Sequence, residues 1–162
     1  MKIFGLIGWK NSGKTYFAQQ IIQQLSSQNF RVASIKHAHH NFDIDKPGTD
    51  SFLHRQAGSK QVIVSSSKRW AKIIELNQSN EKTLYELVEE FHNPDIIIVE
   101  GFKNENHPKM EIISDNSDHS NYLFPHLSNI IGIVSDFKID TSIMQFKKNE
   151  INIIANHILE KA

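Results

Sequence analysis

Two nearly unbroken apolar runs stand out along the chain: Ile3-Phe4-Gly5-Leu6-Ile7, within residues 2–8, and Ile96-Ile97-Ile98-Val99, within residues 95–101. Short apolar runs that end abruptly at polar or glycine residues predict strands covered on both faces of a parallel sheet. Over residues 14–28 the period changes. Phe17, Ile21, Ile22 and Leu25 fall on one face and the glutamines on the other, which predicts a helix broken at Ser26 to Asn29. Residues 31–36 predict a second strand, and a strand-helix-strand unit of this length implies a right-handed crossover and a parallel pair. A short helix over 51–57, capped by Thr49 or Asp50 and ended by Gly58, follows a long polar loop. Residues 61–65 and 70–76 predict an antiparallel hairpin turning across 66–69. Leu84, Leu87, Val88 and Phe91 share a helical face within 80–92, with Ser79 or Asn80 as its cap and Pro94 as its stop. Residues 109–114 and 130–135 supply two more strands. Residues 149–160 supply a last helix with Ile151, Ile154, Ala155, Ile158 and Leu159 inward, and 115–129 reads as a loop with an apolar patch at Tyr122 to Phe124.

Composition narrows the picture. A chain of 162 residues with 39% hydrophobic content suits one domain spanning 1–162 with a sizeable core. Lys plus Arg and Asp plus Glu number 18 each, so no global field draws the molecule toward nucleic acid or an anionic membrane. The absence of cysteine excludes disulfides, thiolate catalysis and cysteine zinc sites. No apolar run approaches the ~20 residues of a membrane span. The first residues pass directly into a strand without a basic leader and apolar segment, and the expectation is a cytoplasmic protein.

Between the first strand and the first helix lies Gly8-Trp9-Lys10-Asn11-Ser12-Gly13-Lys14-Thr15. It matches the phosphate-loop pattern G-x-x-x-x-G-K-[ST] at every fixed position, in the strand-to-helix context the pattern requires. Main-chain amides of such a loop curl around an anion, and the helix start aims its positive end at the same point. Lys14 is a point charge for β- and γ-phosphates, and the Thr15 hydroxyl is a ligand for Mg²⁺. The expected fold is α/β, a three-layer P-loop NTPase-like sandwich with a mostly parallel central sheet and an antiparallel hairpin extension.

Other residues gain meaning from this loop. Glu100 ends a central strand and is the candidate acid near Mg²⁺; Asp95, at the other end of that strand, reads as structural. Asp43, Asp45 and Asp50 lie on the polar loop after the second strand, at the sheet edge where α/β proteins bind ligands, and Asp45 is the choice for a further metal contact. Lys36 stands where it can meet an anion, with His37, His39 and His40 after it; these histidines suit an anionic substrate better than a metal. Arg55 and Lys60 either reach the site or lie on a solvated face. Trp9 either stacks on a base or a partner or packs over the loop, and Lys10 lies beside it. Asp136, at the end of a late strand, stands where a carboxylate can read the guanine edge, although an N-K-x-D signature is absent.

Together, G-W-K-N-S-G-K-T, K-H-A-H-H-x-F-D-I-D-x-P-G-x-D-S followed by H-R-Q-A-G, and I-I-I-V-E-G-F-K resemble the molybdopterin-guanine dinucleotide biosynthesis adapter family, MobB. The resemblance covers most of residues 3–103. It implies a homodimeric GTP-binding accessory protein with at most weak Mg²⁺-dependent GTPase activity. It implies a MobA-like guanylyltransferase as partner, with molybdopterin or a molybdoenzyme also in contact. Carried onto this chain, Gly8, Trp9, Lys10, Asn11, Ser12, Gly13, Lys14 and Thr15 hold the phosphates, and Glu100 lies near the metal. The 36–50 loop faces the pterin or the partner. The wider class includes dethiobiotin synthetase, which leaves a small-molecule kinase or ATP-dependent ligase as the alternative. Members of that class often carry a second lysine early in the loop, where this chain has Trp9, with Lys10 one residue later.

Overall fold

The structure is a computed structural model that describes residues 1–38, 42–76, 81–114 and 121–162. The chain packs as two compact units, Met1–His37 with Leu84–Ala162, and Ala38–Thr83.

The first unit is built on a six-stranded sheet in the order β2-β5-β1-β6-β7-β8. Its strands are β1 (Lys2–Ile7), β2 (Val32–Lys36), β5 (Ile96–Glu100), β6 (Lys109–Ile112), β7 (Ile130–Val134) and β8 (Gln145–Phe146), and all of its pairings are parallel. β1 and β2 do not pair with each other, contrary to the expectation from the strand-helix-strand unit. β5 lies between them and hydrogen-bonds to both. The connecting helix α1 (Lys14–Ser27) has 14 residues, about 21 Å, ample to carry the chain past two strand spacings of about 5 Å each.

The doubly covered character of β5 follows from its sequence: Ile96 and Ile98 join one core and Ile97 and Val99 another. The first core lies under α1 and α4 (Ile151–Lys161). Phe17, Ala18, Ile21 and Leu25 of α1, and Ile154, Ala155 and Ile158 of α4, meet Phe4, Leu6, Met110 and Ile112. On the opposite face, α3 (Leu84–Val88) packs Leu84 and Val88 against Ile35, Ile97 and Val99. A third cluster joins Ile113, Ile133 and Ile139 to Phe124 of a short 3₁₀ turn, Phe124–His126.

The helix expected over 80–92 is described as α3 alone; its expected caps, Ser79 and Asn80, lie outside the described residues. The second unit holds α2 (Asp50–Gln56) and the expected hairpin, β3 (Gln61–Ser65) with β4 (Trp70–Ile74), as a separate antiparallel sheet. Thr49 stands at the start of α2 without a side-chain capping bond. No helix among the described residues is long and apolar enough to cross a membrane.

Candidate functional site at the carboxyl edge of the parallel sheet

β1, β5 and β2 end side by side. Their register places Leu6 opposite Glu100 and Glu100 opposite Lys36. Leu6 faces the core under α1, and strand alternation puts Glu100 and Lys36 on that same face. The sheet therefore turns an acid and a base toward the start of α1.

The chain reaches α1 through the glycine-containing loop. Gly8 has φ 146°, and a Cβ there would lie 2.5 Å from the Ile112 carbonyl oxygen and 2.7 Å from Ser12 Oγ. Only glycine fits both the backbone angle and the space. Ser12 donates its amide to the Trp9 carbonyl at 3.2 Å, closing the loop's first turn. Its Oγ is buried and has no hydrogen-bond partner among the described residues. Gly13 caps α1 in the left-handed region, with no side-chain capping bond and no acidic residue in the first turn. The first intrahelical bond runs from the Phe17 amide to Gly13 O at 2.9 Å. The amides of Lys14, Thr15 and Tyr16 thus lie in the turn that a helix leaves without internal acceptors. A helix start with no acidic residue in its own first turn and no side-chain cap presents these donors and its positive dipole end to an anion.

Lys14 lies back over the loop, its Nζ donating to Gly8 O at 2.8 Å and Trp9 O at 2.7 Å. Burial pulls its ammonium below the ordinary lysine range; the nearby Glu100 carboxylate opposes that shift and the Lys36 charge adds to it. The Thr15 hydroxyl donates to Glu100 Oε1 at 2.8 Å. Lys36 Nζ lies 3.3 Å from Thr15 Oγ1 and 3.4 Å from Glu100 Oε1. The chemistry of this set fits a magnesium-nucleotide: amides and an ammonium for phosphate oxygens, and a hydroxyl and a carboxylate for a hard cation.

The structure thus brings together Gly8 to Thr15, Lys36 and Glu100. Lys10 and Asn11 belong to the same loop, with Asn11 at φ 64°. Trp9 is 42% exposed; its indole Nε1 donates to Asn121 O at 2.6 Å, and Lys103 Nζ stands 5.6 Å from its ring centroid. Lys103 closes the I-I-I-V-E-G-F-K stretch but has no role assigned from sequence, and Asn121 lies in a polar stretch without a signal. His37 stacks on Phe102, with ring centroids 4.3 Å apart; His39 and His40 lie outside the described residues.

The remaining candidates have partners of their own. Asp136 follows β7. Its Oδ1 accepts the Lys148 amide at 3.2 Å and its Oδ2 pairs with Lys148 Nζ at 3.1 Å; this lysine holds the carboxyl below the usual range. Asp43 and Asp45 belong to the second unit, where both pair with Arg55. Asp45 is nearly buried and accepts from Arg55 through both of its oxygens. Arg55 also reaches Glu75 at 2.7 Å, so it is bound inside its own unit.

A mostly parallel sheet with a glycine loop after its first strand, and an acid ending the neighbouring strand, defines an α/β protein with a P-loop NTPase-like fold. Solved structures agree. The crystal structure of Bacillus subtilis MobB matches with a TM-score of 0.78 at 22% identity, covering 99% of this chain and 98% of that one. That of molybdopterin-guanine biosynthesis protein B matches with a TM-score of 0.75 at 22% identity, covering 98% and 97%. A family model described as molybdopterin guanine dinucleotide synthesis protein B matches residues 3–136, and the chain belongs to this MobB family. The molybdopterin-guanine dinucleotide biosynthesis adapter protein of Escherichia coli is 31% identical over 160 residues, covering 98% of this chain and 91% of that protein. The protein of the same name from Haemophilus influenzae is 39% identical over 110 residues, covering 67% and 61%.

Proposed function

We propose that this chain is a GTP-binding adapter in molybdopterin guanine dinucleotide biosynthesis, acting in the cytoplasm beside a MobA-like guanylyltransferase. The observation that carries the nucleotide reading is the uncapped start of α1, with Lys14, Thr15 and Glu100 gathered around it. Lys14 and the loop amides bind the β- and γ-phosphates. Thr15 and Glu100 hold Mg²⁺, which when bound neutralises phosphate charge. Hydrolysis rests on positioning and charge alone and is therefore weak. The names of the relatives support the adapter role and its pathway.

A homodimer belongs to the same reading. A two-stranded ribbon gains little stability by itself, and beside the short α2, strands β3 and β4 still leave Ile63, Val64, Trp70 and Ile74 exposed. An exposed apolar ribbon suits burial against its own copy in a two-fold pair. Sedimentation should give twice the 18.6 kDa chain mass; a monomer at tens of micromolar would remove this part of the reading.

The nucleotide site is tested by titrating GTP with Mg²⁺ into the native chain and Lys14→Ala. Loss of a charge-assisted contact to phosphate should weaken binding by roughly ten- to a hundredfold. Equal affinities, with the variant folded by circular dichroism, would overturn the assignment.

A further inference from the structure

We infer that Lys36 is a resident cation at the metal position, holding Glu100 and Thr15 together until a divalent ion displaces it. This rests on the proposed nucleotide site and adds to it a residue that sets its metal dependence.

The geometry is a closed triangle. Thr15 Oγ1 and Glu100 Oε1 are 2.8 Å apart, and the Lys36 ammonium lies within 3.4 Å of both. A hydroxyl and a carboxylate oxygen at that spacing are the two ligands a phosphate-loop protein offers its metal. Here the positive charge between them belongs to the protein. The placement is built into the sheet, since Lys36 is the register partner of Glu100 across a parallel pair and both are turned toward α1. The Lys36 amine is on a flexible stem and is largely exposed, whereas Glu100 is nearly buried. The ammonium can therefore leave without disturbing the sheet, while the carboxylate stays fixed.

Two consequences of opposite sign follow. With no metal present, Lys36 supplies the cationic charge beside the phosphates, so nucleotide binding should survive chelation of Mg²⁺. With no nucleotide present, a divalent ion must displace Lys36, so the native chain should bind that ion weakly. Removing the ammonium should therefore lower metal-free nucleotide affinity and raise metal affinity. A merely structural role for Lys36 would move neither in this pattern.

The test uses the full chain and the variants Lys36→Met, which keeps the stem, and Lys36→Arg, which keeps the charge. Mn²⁺ binding to the nucleotide-free protein is followed by electron paramagnetic resonance. GTP binding in EDTA is followed by calorimetry. For Lys36→Met, Mn²⁺ should bind roughly three- to tenfold more tightly than to the native chain, and GTP in EDTA more weakly by a similar factor. Lys36→Arg should stay near native in both. Unchanged Mn²⁺ affinity in Lys36→Met overturns the inference whatever the nucleotide does. Unchanged GTP affinity in EDTA for Lys36→Met, or no GTP binding in EDTA by a native chain that binds GTP with Mg²⁺, overturns it as well. Failure of the native chain to bind GTP even with Mg²⁺ would instead overturn the proposed function, and the Mn²⁺ titration would still decide the role of Lys36.

Discussion

His107 is almost fully buried, and neither ring nitrogen has a hydrogen-bond partner among the described residues. It lies over Gly5 of β1, where a Cβ would fall 2.2 Å from Nε2. Burial, helped by the charge of Lys109, pushes its pKa down to about 4. The unfolded chain takes up this proton near the ordinary histidine value of about 6.5, before the folded chain does. The stability tied to neutral His107 is thus fully present above about pH 6.5 and is lost as pH falls toward 4. The loss amounts to roughly 2–3 kcal/mol. Buried Glu111, whose carboxyl is pushed up by burial, acts in the opposite sense, so a difference between variants isolates the histidine. Urea unfolding of the native chain and His107→Leu between pH 7 and 4 should show a shallower acid decline in the variant; identical slopes would refute the assignment. Nothing in the sequence marks His107, because its burial depends on a gap over one strand glycine that the bend before β6 fills. That Lys14, Thr15 and Glu100 lie together was legible for the contrary reason: the phosphate-loop pattern fixes residue type and spacing within one strand-loop-helix step, and an apolar strand ends at the acid.

Among the elements, long apolar runs and helical stripes read clearly, so β1, β5, α1 and α4 fall where the periodicity puts them, within a few residues. β8 was missed because two residues, Gln145 and Phe146, are too few to carry a period. The 3₁₀ turn at Phe124 was visible only as an apolar patch. It is fixed from outside, by the buried Glu111 carboxylate accepting the amides of Leu123 and Phe124 at 2.8–3.1 Å. Asp45 shows the same limit. A carboxylate on a long loop looks free in sequence, but Arg55 of α2 holds it, and joins it to Asp43 and to Glu75 just beyond β4. One guanidinium thus staples three segments of the second unit, and these carboxylates raise its pKa further above an already high value. A lysine offers one compact charge instead of a planar fork and cannot reproduce the paired contact to both Asp45 oxygens while reaching Asp43 and Glu75. Arg55→Lys should therefore lose much of what Arg55→Met loses. Hydrogen exchange should show the loss of protection concentrated in residues 42–76, with the parallel sheet of the first unit unaffected. Protection lost equally in β1 and β5 would show that Arg55 does not act within its own unit alone.

At the scale of the whole molecule, the order of strands was the least legible feature. Local patterns show that β1 and β2 belong to one sheet, but not that a strand some sixty residues further on inserts between them. That insertion is what makes the site: it places Glu100 next to both Leu6 and Lys36, so residues distant in sequence share one edge. The proposed nucleotide at this edge would meet loops set by three strands, and it should stabilise the folded state through the sheet that carries them. Binding that is confined to the folded state contributes RT ln(1 + [L]/Kd), about 2.7 kcal/mol at a hundredfold excess over Kd. For a chain of this length each kcal/mol raises Tm by about 2–4 °C. GTP with Mg²⁺ at a hundredfold excess over the native Kd should then raise Tm by roughly 5–10 °C, ATP at equal concentration by less, and Lys14→Ala should cut the GTP shift to about half or less. Differential scanning fluorimetry measures all three. An equal rise for ATP and GTP would remove guanine preference from the proposed function, and a full rise in Lys14→Ala would move the nucleotide away from this edge of the sheet.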